Sequence, residues 1–198
     1  MTNLKTKIGI GTLQFGLNYG IANKSGKLKI KEILKIKKIA QKNNIDLIDT
    51  ASAYGDCEER LGRANFSKFK IVTKLPVSKP GNNYYAWTVN NIKKSLKRLK
   101  VKKIYAMHVH APKYLLEKKG IQIYRALSDF KKRGIIKKIG VSIYTIKELN
   151  LLLKKFKIDL VLLPFNVFDQ RSIKNNILKN LKKKKLKFIL DLLFYKVY

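Results

Sequence analysis

Apolar residues along this chain fall into two alternating regimes. In one they form short, nearly continuous runs: "IDLIDTA" at 45–51, "FKIVTKL" at 69–75, "KIYAMHVHA" at 103–111, "KKIGVSIY" at 137–144, "IDLVLLPFN" at 158–166 and "LKFILDLLFY" at 186–195. In the other they recur every three or four positions with lysine between them. The clearest case is "KIKEILKIKKIAQKN" at 29–43, where Ile30, Ile33, Leu34, Ile36, Ile39 and Ala40 mark one helical face. The same spacing predicts helices over "CEERLGRA" (57–64), "YAWTVNNIKKSLKRLK" (85–100), "IQIYRALSDFKKRG" (121–134) and "SIKNNILKNLKKKK" (172–185). "TIKELNLLLKKF" (145–156) adds a Thr145 cap with Glu148 three residues on. A Gly-rich strand starts the series in "KIGIGTLQFG" (7–16), and Pro76, Pro80, Gly81 and Pro112 punctuate the loops.

Strand and helix therefore alternate, and runs apolar on both sides are expected where a parallel sheet is covered on both faces. Two α/β architectures satisfy the pattern: an open doubly wound sheet and a parallel (β/α)8 TIM-type barrel. About seven strands are present, whereas a closed barrel has eight and typically about 250 residues. The barrel reading thus expects an incomplete barrel. The 198 residues suit one domain spanning 1–198, without a linker and lacking an eighth strand and helix.

Charge changes this picture less than its size suggests. The net charge is +33, and 45 residues are Lys or Arg. Such a balance raises nucleic acid or an anionic membrane as partners. Arginine, which suits bidentate phosphate and base contacts, is scarce, and the lysines are spread through every predicted helix. Both features weigh against a nucleic-acid partner and for a solvated basic surface. No stretch reaches the roughly 20 apolar residues of a membrane span, and the N-terminus does not read as a secretory leader. Cys57 stands alone, so no internal disulfide is possible and a reducing cytoplasm is the expected compartment.

Chemistry concentrates at strand ends, where parallel sheets present their ligand sites. Asp49 closes the second strand, Lys74 the third, and His108 and His110 lie near the end of the fourth, with Tyr54 on the following turn of the second. By alternation His108 and His110 share a face, with His110 nearer the rim and His108 placed as a core residue. Singly, each has a plain structural role: a loop cap, a solvated amine, a packed phenol, a satisfied imidazole. Together they suit proton donation to a carbonyl that receives a hydride. The ammonium is expected to lower the phenol's pKa, the carboxylate to hold the ammonium, and the imidazole to orient the carbonyl oxygen.

At these residues the sequence resembles the aldo-keto reductase family. "GTLQFG", "DTASAYG...E..LG", "IVTKL", "HAP", "IGVSIYT" and "LLPFNVFDQR" follow the family's motif order over about residues 7 to 172. The resemblance implies an NADPH-dependent (NADH is the alternative) carbonyl reductase without a metal, acting on a sugar-like or small aldehyde or ketone. It implies Tyr54 as proton donor, Asp49 and Lys74 as its tuning pair, and His110 as the residue that orients substrate. Ser142 falls where the nicotinamide carboxamide is contacted, and Thr12 near the nicotinamide-facing start of the barrel. Ile143 and Leu162 depart from the family's usual Asn and Gln, and the family's cofactor-phosphate loop after the seventh strand has no counterpart in "KFILDLLFYKVY". Two other readings follow: an inactive relic or binding module that keeps the four residues without holding cofactor, and a basic polyanion binder. Oligomeric state is left open.

Overall fold

A computed structural model describes residues 7–20, 23–166, 169–174, 176–184 and 186–191. Seven strands are described: β1 (Gly9–Gly11), β2 (Leu47–Asp49), β3 (Lys70–Lys74), β4 (Ile104–Val109), β5 (Ile136–Ser142), β6 (Leu160–Pro164) and β7 (Lys187–Asp191). They pair in parallel in the order of the chain, β1 to β7, with no reversal. A doubly wound sheet reverses its order at a switch point. Unbroken sequential order is instead that of a (β/α) barrel, here incomplete.

Helices α1 (Leu13–Gly16), α2 (Ile30–Lys42), α3 (Cys57–Arg63), α4 (Tyr84–Leu99), α5 (Lys113–Leu116), α6 (Gly120–Lys132), α7 (Ile146–Lys155), α8 (Arg171–Lys174) and α9 (Ile177–Lys183) fill the connections. Side-chain alternation splits each strand between two environments. Ile48, Ile71, Met107, Val109, Ile139, Val141, Val161 and Leu163 pack outward with helix residues such as Ile33, Leu61, Ile92, Ile123 and Leu152 in the main core. Val72, Ala106 and Leu160, with Leu47 and Ile189 against them, form a second, smaller cluster on the opposite face. Asp49, Lys74, His108, Ser142 and Leu162 continue that inner face towards the strands' carboxyl ends.

Side chains cap two helix starts, the expected one at Thr145 and another at Asn83. The Asn83 side chain accepts from the Ala86 amide at 2.9 Å, and the Thr145 hydroxyl accepts from Glu148 N at 3.2 Å. Two expectations are corrected. "KIGIGTLQFG" supplies only a three-residue strand before turning into α1. The single helix expected over 172–185 is broken, because Asn176 sits in the left-handed region at φ 54 between α8 and α9. Asparagine tolerates that conformation better than most residues. Residues 192–195 of the expected last strand lie outside the described residues. Among the described residues no helix is long and apolar enough to cross a membrane, and no group of three His, Cys, Asp or Glu side chains could hold a metal.

Candidate active site

Parallel pairing delivers the strand ends to one rim. Gly11 pairs with Asp49, Asp49 with Val72, and Lys74 with His108. Tyr54 comes from the turn after β2, and glycines let that turn approach the first loop. A Cβ at Gly16 would lie 1.8 Å from the Tyr54 carbonyl oxygen, and one at Gly55 would lie 2.4 Å from the Gly16 carbonyl oxygen. Gly55 also adopts φ 57, which L side chains rarely take. The turn that carries Tyr54 is therefore held by two glycines as much as by hydrogen bonds.

Lys74 is the hub. Its ammonium donates to Asp49 Oδ2 at 2.7 Å, to the Thr50 carbonyl at 2.9 Å and to the Tyr54 hydroxyl at 3.3 Å. It is 1% exposed, so these three oxygens replace water entirely. The ammonium also lies 5.0 Å from the centre of the Tyr54 ring. The Tyr54 and His110 rings meet edge to face at 6.4 Å between centroids. The four side chains singled out by strand position do gather at one place.

Electrostatics correct one expectation. Burial opposes charge on Lys74, yet Asp49 and Tyr54 outweigh it and its pKa stands above the ordinary lysine value. Burial pushes the Asp49 carboxyl up against the pull of Lys74, with Asp191 adding to the rise. The Tyr54 phenol is also raised, not lowered: burial is the largest cause, and the downward pull of Lys74 does not overcome it together with Asp49 and Asp191. Tyr54 therefore stays a protonated donor. His110 is held down to about 4 by burial and by Lys74, and His108 well below the ordinary imidazole value by burial, Lys74 and His110. Both imidazoles are neutral at neutral pH.

A cavity of about 310 Å³ opens onto this group, lined by Leu13, Leu17, Tyr19, Tyr54, Lys74, His110, Ser142, Tyr144, Leu162 and Asp191, among others. Buried polar atoms without a hydrogen-bond partner cluster here: Asp49 Oδ1, His110 Nδ1, both nitrogens of His108 and Ser142 Oγ. The Ser142 hydroxyl, 2% exposed, is thus a polar group able to meet a carboxamide. Thr12 does not line the cavity. Its hydroxyl donates to the Asp49 carbonyl at 2.9 Å and it receives the Cys57 thiol at 3.2 Å, so it holds the end of β2 in place. A larger open groove of about 570 Å³ beside Asn83 and Gln122 is lined by polar side chains and contains none of these groups.

Sequence reasoning missed Asp191, Tyr19 and Tyr144. Asp191 carried the same signal as Asp49, an acid directly after the apolar run "FIL", and pairing of β6 with β7 brings it to the rim. His108 needed the structure. A Cβ on Gly140 would stand 2.2 Å from its Cδ2 and 2.3 Å from its Nε2, so the ring occupies space that only glycine leaves on β5.

Solved structures with this fold are numerous. The chain is 27% identical to the aldo-keto reductase YhdN of Bacillus subtilis over 93% of its own length and 57% of that protein's, so it spans rather more than half of that curated relative. Among solved structures, the aldo-keto reductase PA4992 of Pseudomonas aeruginosa superposes with a TM-score of 0.76 at 26% identity, covering 92% of this chain and 71% of that one. A Bombyx mori aldo-keto reductase in complex with NADP shares the fold, with a TM-score of 0.68 at 18% identity, over 92% of this chain and 61% of that one. The model of the aldo/keto reductase family matches residues 7–190, and with that span of sequence following the strand-end pattern, the chain belongs to the aldo/keto reductase family.

Proposed function

We propose that this chain carries the proton-transfer half of an NAD(P)H-dependent reduction of an aldehyde or ketone, with NADPH the expected cofactor. The observation that carries the reading is the buried Asp49–Lys74–Tyr54 chain with neutral His110 against the phenol. A reduced nicotinamide supplies the hydride for the carbonyl carbon, and the unpartnered Ser142 hydroxyl fits its carboxamide. Membership of the family and the NADP complex of the Bombyx mori relative support that choice of cofactor.

The residues divide the work by position. A substrate carbonyl in the cavity accepts a hydrogen bond from the Tyr54 hydroxyl, and from His110 through a ring nitrogen that carries the proton. As negative charge develops on the oxygen, the Tyr54 proton moves to it, giving an alcohol. The phenolate left behind faces the Lys74 ammonium 3.3 Å away, which stabilises it more in this dry site than it would in water. Asp49 keeps Lys74 charged and pointed at the phenol. Leu13, Leu17 and Leu162 give the cavity apolar walls beside the reacting oxygen.

The test follows loss of NADPH absorbance with a panel of small and sugar-like aldehydes, beside an NADPH fluorescence titration. Turnover that disappears in Tyr54→Phe while the titration is preserved supports the reading. Saturable cofactor binding with no turnover of any aldehyde favours a binding module, and no saturable binding at millimolar cofactor removes the reductase.

A further inference from the structure

The lysines that look dispersed along the chain are gathered by the fold. All seven strands run the same way, so the turns that lead from a helix into the next strand share the end of the molecule opposite the active site. There are six such connections, before β2 to β7, and every one carries exposed basic residues. Lys42 stands before β2, Arg63 and Lys68 before β3, Lys102 and Lys103 before β4. Lys132 and Arg133 stand before β5, with Lys137 just inside it; Lys154, Lys155 and Lys157 precede β6, and Lys182, Lys183 and Lys184 precede β7. The sequence cause is simple. Each helix that leads into a following strand carries Lys or Arg in its last turn, which suits the carboxyl end of its dipole, and each strand begins within a few residues.

The acids at this end are already engaged: Asp129, in the last turn of α6, accepts from the Tyr85 hydroxyl at 2.9 Å. Asp46 is ion-paired to Lys70, and Asp159 to Lys131 at 2.5 Å while accepting from the Ile139 amide. By contrast Asp49, Asp56, Glu117, Glu148, Asp169 and Asp191 lie at or beside the strands' carboxyl ends. Crowding of cations registers on Lys138 in β5. Burial holds its pKa down, Asp159 opposes, and Lys187, Lys131 and Lys137 push it lower still.

The chemistry of the face selects its partner. Tyr144 belongs to the opposite end, and Tyr85, the other exposed aromatic side chain among the described residues, is tied by its hydroxyl to Asp129, so the turns themselves offer no free aromatic ring on which bases could stack. Lysine outnumbers arginine, so the face meets phosphates as point charges and reads no base edges. A bilayer needs a second, apolar signal for stable attachment. Among the described residues, the exposed large apolar side chains towards this end are Ile8 and Ile39. We propose that the basal face, an arc of lysines across six helix-to-strand turns, binds the phosphate backbone of duplex nucleic acid without regard to sequence.

The experiment measures anisotropy of a labelled random-sequence duplex at several salt concentrations. Wild type should lose affinity linearly on a log–log plot, and a slope near −5 corresponds to about six phosphates neutralised. Two sets of equal charge change are compared: Lys102→Glu, Lys103→Glu, Lys137→Glu and Lys157→Glu on the basal face, and Lys31→Glu, Lys35→Glu, Lys38→Glu and Lys93→Glu on the outer helix surfaces. The basal set should weaken binding more than about 30-fold and flatten the slope by about 3 to 4, while the helix set costs less than about 3-fold. Should the basal set fail to fold, Lys→Gln at the same four positions is read in its place. Equal losses in the two sets, binding indifferent to salt, or cosedimentation with phosphatidylserine vesicles but no duplex binding would each overturn the proposal.

Discussion

Tyr54 illustrates how one residue's environment sets its role. Its hydroxyl has Lys74 at 3.3 Å and is otherwise turned to the cavity. Tyr54→Phe removes the proton donor and little packing. It should lower kcat about 10²- to 10⁴-fold while changing urea-unfolding stability by less than about 1 kcal/mol. Because burial raises the phenol, the alkaline limb of kcat/KM should lie above the ordinary tyrosine value of about 10. A limb at pH 8 to 9 would mean that Lys74, not burial, dominates. The imidazoles give a stability prediction with a definite sign. His110 titrates near 4 in the fold against about 6.5 when unfolded, and His108 is displaced the same way. Between those values the unfolded chain binds protons that the native chain refuses, so stability should fall as pH drops from about 6.5 towards 4. Urea midpoints at pH 7.5, 5.5 and 4.5 check this, and His110→Gln should lessen the drop.

Strands β4 and β5 show what a single element contributes beyond a place in the sheet. Gly140 pairs with His108, and the space that it leaves is filled by the imidazole. Gly140→Ala should destabilise by about 1–3 kcal/mol, the usual range for overpacking a core. Combined with His108→Ala it should cost less than the sum of the two single changes, because the collision is removed. Additive losses in urea unfolding would place the cost of the alanine elsewhere. The sequence already carried the period of each element and the alternation that puts Asp49, Lys74 and His110 on one rim. It could not show which glycine faced which ring, since Gly140 and His108 lie 32 positions apart and meet only through strand register. Nor could it show the sign of the Tyr54 shift: the Lys74 neighbour was legible, but the amount of water around the phenol was not. The break at Asn176 was missed because lysine-rich helical spacing continues on both sides of it.

At the scale of the molecule, the consequences of charge depend on arrangement more than on count. With 45 basic and 12 acidic residues, most ammonium groups have no carboxylate available, and the fold sets many of them side by side across the basal turns. Like charges at such density oppose compaction, and the opposition is Coulombic, so it weakens as the screening length shortens from about 10 Å at 0.1 M salt to about 3 Å at 1 M. The exposed ion pairs, Lys27–Asp56 and Lys70–Asp46, weaken under the same screening, but each contributes at most about 1 kcal/mol. Repulsion among the surplus lysines should win. Raising sodium chloride from 0.05 to 0.5 M should therefore increase the thermal midpoint by roughly 4–8 °C, equivalent to about 2 kcal/mol for a chain of this size. Chloride is the right anion for the measurement, because sulfate also strengthens apolar burial. The basal Lys→Glu set should melt higher than wild type at 0.05 M and gain less from added salt. A midpoint that falls with sodium chloride in wild type would mean that the ion pairs, not the crowded lysines, govern the electrostatic balance of the fold.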